Sequence, residues 1–243
     1  AVSGNGGDAK LVVQFLVFEG MPMNKKNSMI RLLKKVPLVT MPRPRCELDS
    51  CGCQRSSFTW VSHKYQYVWF ETPKCASSSL KSMLPDATLS VLPSRFRHRS
   101  DYVRFGVVRN PWAKMVSNYS MFVRKEDTFR NGQIEKLFGI SREGLSFERF
   151  LELAEQIPNH HWAECHDFFP KREDGVVDLD AVVRFENFSR EIQEVGDRLG
   201  VDFDIEHENR TDHRPYREYY TPATREQVHR MFRRDIKLFG YRF

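Results

Sequence analysis

Glycine is missing where a nucleotide-binding loop would need it. The chain has 13 glycines in 243 residues, and none falls between Thr72 and Pro85. A Walker A loop requires G-x-x-x-x-G-K-[ST], with its lysine at the far end, so the absence argues against an ATPase or GTPase. Long apolar runs are also lacking. The run at residues 11–18 (LVVQFLVF) is broken by Gln14 and too short to cross a bilayer, so no membrane span is expected in this chain. Cysteine is limited to five residues, three of them (Cys46, Cys51, Cys53) clustered in RCELDSCGC with His63 not far off. A structural zinc site takes four ligands at recognisable spacing. No metal is therefore expected, and free thiols, or one local disulfide in an oxidising compartment, account for the cluster. No zinc-finger or RNP pattern accompanies the basic residues, which are spread along the chain, so no nucleic-acid partner is expected.

What is present suits a single α/β domain. Hydrophobic residues make up 40% and charged residues 29%, an ordinary globular balance, and the net charge of +6 favours an anionic ligand. Residues 1–60, with prolines at 22, 37, 42 and 44, read as a loosely packed N-terminal extension. The domain is assigned to 61–243, its compact part starting near Ser57. Strands are expected at 65–71, 87–92, 102–108 and 181–185. Helices are expected at 77–84, from Asn110-Pro111 onward, at 147–157, at 189–199 with Ser189 as cap and Gly200 as stop, and from Thr221-Pro222 to Phe239-Gly240. Met115, Tyr119 and Phe122 share a helix face. Such alternation predicts a parallel β-sheet flanked by helices on both faces.

Two segments carry chemistry. In YQYVWFETPKCASSSLKSMLP (65–85), a buried strand ends at Thr72-Pro73, because proline offers no N–H to a ladder. Lys74 follows, then Ala76, Ser77, Ser78 and Ser79 lead into a helix. Small residues let backbone N–H groups and hydroxyls converge at a helix N-terminus, where phosphate or sulfate is well held. Alone, the segment reads equally as an ordinary β-loop-α connection with a solvated lysine. The second segment is VVRNPWAKMVSNYS (107–120). Arg109 ends a buried strand, Asn110 caps a helix and Pro111 opens it. Ser117 lies seven residues past Asn110, about two turns on, facing back toward the strand end. A guanidinium and a hydroxyl there would make a second phosphate clamp.

Together the two segments resemble the signature of PAPS-dependent sulfotransferases, which carry a P-K-x-[GA]-[ST]-[ST]-[ST]-L-like loop and an R-x-P…S motif. The resemblance implies a P-loop-like sulfotransferase fold. It also implies that Lys74, Cys75, Ala76, Ser77, Ser78 and Ser79 bind the 5′-phosphosulfate of PAPS, and that Arg109 and Ser117 bind the 3′-phosphate. Cys75 and Ala76 depart from the commonest form, which has Thr or Ala followed by Gly. Residues 209–243 are similar to the carbohydrate-type and bacterial branches, which adds Arg210 and Thr211 as cofactor contacts. His160-His161-Trp162 and Glu186-Asn187-Phe188 look similar too. The likeness covers roughly residues 63–243.

Sulfuryl transfer depends on positioning and electrostatic stabilisation. Lys74 is expected at the bridging oxygen, with PAP as the product and no metal. For the general base, His98 is favoured: it lies between the two motifs, and Arg95, Arg97 and Arg99 favour its neutral form. His161 and Glu71 are the other candidates. The resemblance implies a hydroxyl compound as acceptor, a carbohydrate or a small metabolite. A P-loop-type nucleotide kinase and a non-catalytic sulfated-glycan-binding module are the alternatives. Three N-x-[ST] sequons occur, at Asn118, Asn187 and Asn209, the first inside the proposed cofactor helix. The compartment is left open: cytoplasmic, or Golgi-lumenal if an upstream anchor has been removed from a chain that begins at Ala1.

Overall fold

Tyr67, Val68, Trp69 and Phe70 are fully buried, and the sheet grows outward from them. The structure, a computed structural model, describes residues 58–90, 101–124, 138–141, 143–203 and 214–243. Residues 1–57, including Cys46, Cys51 and Cys53, lie outside this set, as do the last two positions of the strand expected at 87–92. Five strands are formed: β1 (Thr59–Ser62), β2 (Tyr67–Phe70), β3 (Thr88–Ser90), β4 (Val103–Val108) and β5 (Ala181–Arg184), arranged β3-β1-β2-β4-β5. The β2–β4 and β4–β5 pairs are parallel, whereas β1 is antiparallel to both β2 and β3.

This corrects the expectation of a wholly parallel sheet. β2 and β3 both oppose β1, so they point the same way, and β1 alone is reversed. It slots between the two strands of a β-α-β unit. The turn that reverses it, residues 63–66, contains no glycine. Gln66 takes the left-handed conformation instead (φ 52°), and its carbonyl accepts the Val103 N–H at 2.8 Å.

The helices follow the capping chemistry. α1 (Ser77–Met83) leaves β2, and α2 (Pro111–Tyr119) leaves β4. The Asn110 side chain accepts the N–H groups of Trp112 (3.1 Å) and Ala113 (3.2 Å), as its position before Pro111 requires. α2 runs on into a π-helical turn, Ser120–Arg124. α3 (Phe147–Gln156) is capped by Ser146. α4 (Phe188–Leu199) has Asn187, not Ser189, at its N-cap position, and Gly200 ends it at φ 64°. The expected last helix is two: α5 (Pro222–Met231), with a Thr221–Thr224 capping box, and α6 (Arg233–Phe239). The break at Phe232 frees the N–H groups of Arg234 and Asp235, and Glu164 Oε1 accepts both. Among the described residues, no helix is long and apolar enough to cross a membrane.

The sheet is pinned at both ends. Trp60 and Trp69, paired across β1 and β2, stack at 5.9 Å. At the start of β4, the Arg104 guanidinium forks onto Asp178 (2.7 Å) and Asp180 (3.1 Å). In mid-strand, Gly106 leaves room for Phe169: a Cβ there would sit 2.3 Å from the ring. Gly106→Ala should therefore cost about 1–3 kcal/mol through overpacking, read as a lower urea midpoint. An unchanged midpoint would contradict this packing.

Candidate active site

The loop between β2 and α1 is held in a tight, strained form. Lys74 (φ 66°) and Ala76 (φ 58°) both occupy the left-handed region, which L-residues enter at a cost of about 1–2 kcal/mol each. Several bonds maintain it. The Thr72 hydroxyl donates to the Val107 carbonyl, and the Ser77 hydroxyl donates to the Thr72 carbonyl at 2.9 Å. The Arg109 guanidinium donates from Nη1 to the Lys74 carbonyl at 3.0 Å. Ala76, at the N-cap of α1, offers no side-chain cap to the helix. Ser78 is exposed and Ser79 half-buried. The Lys74 ammonium donates to Met121 Sδ at 3.4 Å, a weak acceptor.

Arg109 is buried at the end of β4, with its guanidinium 4.1 Å from the Phe185 ring centre. Its Nε is buried with no hydrogen-bond partner among the described residues. Burial lowers its pKa, and Cys75 and Glu186 work against that shift; an arginine remains charged regardless. Ser117 is buried on α2. Among the described residues no hydrogen bond joins its hydroxyl to Arg109, whose direct partner is the Lys74 loop. Glu186 and the chain's end fix the motif from the other side. Glu186 accepts the Asn110 N–H at 2.7 Å and the Tyr241 hydroxyl at 3.2 Å, and Asn110 Nδ2 donates to the Arg242 carbonyl at 3.0 Å.

The base candidates fare differently. His98, Arg210 and Thr211 lie outside the described residues. His161 sits in the 3-10 turn His160–Trp162, edge-on to Phe122 at 5.1 Å, and the Asn118 side chain donates to its carbonyl at 3.0 Å. The turn at Ser120–Arg124 thus touches Lys74 through Met121 and His161 through Phe122. Asn118 is fully buried, which leaves its sequon no room for a glycan. Glu71 has both oxygens engaged, one with Trp60 Nε1 at 2.7 Å and the other with Lys81 at 2.5 Å. In this structure Glu71 is held in an ion pair with Lys81.

Behind the loop lies a group of residues that the sequence reading does not single out as a unit. Lys114 is fully buried, donating to the Ala163 carbonyl at 2.6 Å and to Cys165 Sγ at 3.5 Å. Cys165 Sγ lies 3.9 Å from Cys75 Sγ, and both thiols are free and buried. Burial raises the Cys75 thiol, but the hydrogen bond with Cys165 and the Lys114 charge outweigh it and bring it down to about 7. The signal in the sequence is slight, since a lysine in an amphipathic helix reads by default as solvent-facing. Nearby, Glu164, His166 and Asp235 draw together. Asp235 accepts the backbone N–H groups of Cys165 and His166, and pairs with His166 Nδ1 at 2.9 Å. This network ties the 3-10 turn Cys165–Phe168 to α6.

Arg109→Lys removes the directional bond to the Lys74 carbonyl and the stack on Phe185. It should lower stability without any ligand by about 1–3 kcal/mol, measured by denaturant unfolding. A wild-type midpoint would mean that the tie contributes nothing.

No curated protein and no solved structure matches the chain. The model of the sulfotransferase family matches residues 57–242, a span that takes in the Lys74 loop, the Arg109 motif and the C-terminal residues that brace them. The chain belongs to the sulfotransferase family.

Proposed function

We propose that this chain moves a sulfuryl group from PAPS to a hydroxyl of an acceptor, a carbohydrate or another small metabolite, by in-line transfer. The observation that carries the reading is the 3.0 Å bond from Arg109 to the Lys74 carbonyl. It brings the Lys74 loop and the Arg109 motif, 35 residues apart, against each other. One feature fits a nucleotide with anionic groups at two positions: the buried Nε of Arg109, which has no hydrogen-bond partner among the described residues. PAPS, when bound, supplies an activated sulfuryl group with PAP as its leaving group.

The protein's contribution is positioning and charge. Lys74 sets an ammonium against the charge that develops at the bridging oxygen. Cys75, Ala76 and Ser77 hold the loop in the left-handed form that turns amides toward the phosphosulfate, and Ser78 and Ser79 offer hydroxyls. Arg109 and Ser117 take the 3′-phosphate, with Arg210 and Thr211 as further contacts. His98 is the preferred acceptor of the hydroxyl proton and His161 the second choice, the latter sharing the Ser120–Arg124 turn with Lys74. These roles call for no metal. The carbohydrate reading of the acceptor follows from the C-terminal likeness to the carbohydrate-type branch.

PAP should raise the melting temperature, and Lys74→Ala and Arg109→Ala should each abolish the shift. An undiminished shift in both variants would sink the donor assignment. In a turnover assay with labelled PAPS and an acceptor panel, loss of the base should cost about 10²–10⁴ in kcat. His98→Ala and His161→Ala, compared side by side, identify which histidine it is. Full turnover in both would remove histidine from that role.

A further inference from the structure

We propose that Cys75 and Cys165 form a reversible dithiol–disulfide modification site that displaces the loop at residues 72–76. The sulfurs lie 3.9 Å apart, although 90 residues separate them in the chain. Both are buried and free, and Lys114 Nζ sits 3.5 Å from Cys165 Sγ. The lysine needs a counter-charge at this depth. Among the described residues no carboxylate lies within ion-pair distance of it; Cys165, Cys75 and Asp235 are the acidic groups that act on its charge, and the Cys165 sulfur touches it. A cation beside a thiol pair favours the thiolate, the form that reacts with oxidants.

The oxidant is hydrogen peroxide, small enough to reach a buried thiol. The Cys75 thiolate attacks one peroxide oxygen, the O–O bond breaks, and the departing hydroxide takes up a proton to leave as water. Cys75 is then a sulfenic acid. The Cys165 sulfur attacks the Cys75 sulfur, the S–S bond forms and the S–O bond breaks. A second water leaves with the proton of Cys165. The two thiols together lose two electrons and the peroxide gains them; a dithiol reductant reverses the change.

Closing the pair to about 2.0 Å draws Cys75 toward Cys165. Its neighbours on either side, Lys74 and Ala76, are already in the left-handed conformation, so the chain has little slack to absorb the movement. The Lys74 carbonyl is the acceptor of Arg109. The displacement therefore reaches the bond that unites the two anion-binding motifs. Weaker donor binding in the oxidised state rests on the PAPS reading above; the loop displacement itself does not.

The test uses the full chain with Cys46, Cys51 and Cys53 replaced by Ser, treated with hydrogen peroxide. Mass spectrometry of the digest should contain a peptide pair linking Cys75 to Cys165, and dithiothreitol should remove it. Oxidation should weaken PAP binding by about tenfold, with recovery on reduction, while Cys165→Ser or Cys165→Ala should bind PAP equally before and after peroxide. Failure to form the linked peptide overturns the proposal, as does a linked protein with unchanged affinity. If the reduced protein does not bind PAP at all, the donor reading fails and hydrogen exchange across residues 72–80 decides instead. A changed exchange rate on oxidation supports the switch, and an unchanged one overturns it.

Discussion

The bond from the buried Arg109 guanidinium to the Lys74 carbonyl is the constraint on which the site depends. Without it, the loop after β2 would be an ordinary connection. Two left-handed residues cost the loop about 2–4 kcal/mol together. A charge-assisted hydrogen bond returns about 1.5–3 kcal/mol, and the Thr72 and Ser77 hydroxyl bonds return about 1 kcal/mol each. The conformation is held by its neighbours rather than by its own preference, which is common where backbone strain serves a function.

The same bond explains why distant segments converge here. Arg109 can reach Lys74 because β2 and β4 are parallel neighbours, with Phe70 in register with Gly106. Their carboxyl ends therefore open side by side, where open α/β sheets bind their ligands. β5 lies parallel on the far side of β4 and brings Phe185 beneath the guanidinium and Glu186 to the Asn110 amide. The C-terminus closes the arrangement through the Arg242 carbonyl and the Tyr241 hydroxyl. Cys165 and Lys114 lie against Cys75, so polar groups also line the buried side of the loop.

Much of this was legible in the sequence, for local reasons. Asn110-Pro111 states its own helix start, Gly200 its own helix end, and the apolar runs at β2 and β4 allow little but buried strands. The two segments proposed to bind anions are likewise contiguous stretches. What escaped was set by tertiary contact. β1 is only four residues long, and its turn relies on a left-handed Gln66 in place of the glycine that would have announced it. The break at Phe232 exists because Glu164, far away in the chain, accepts the amides it frees. Glu71 looks like a free carboxylate until Trp60 and Lys81 are seen around it. Lys114 looks like a surface lysine until Ala163 and Cys165 cover it.

Hydrogen exchange with and without PAP tests the central claim most directly, because it reads both motifs in one titration. The account predicts that amides in residues 74–80 and 109–113 gain protection together, with the same dependence on PAP concentration. Protection of one segment without the other, or at clearly different concentrations, would mean that the two motifs do not form a single anion-binding site.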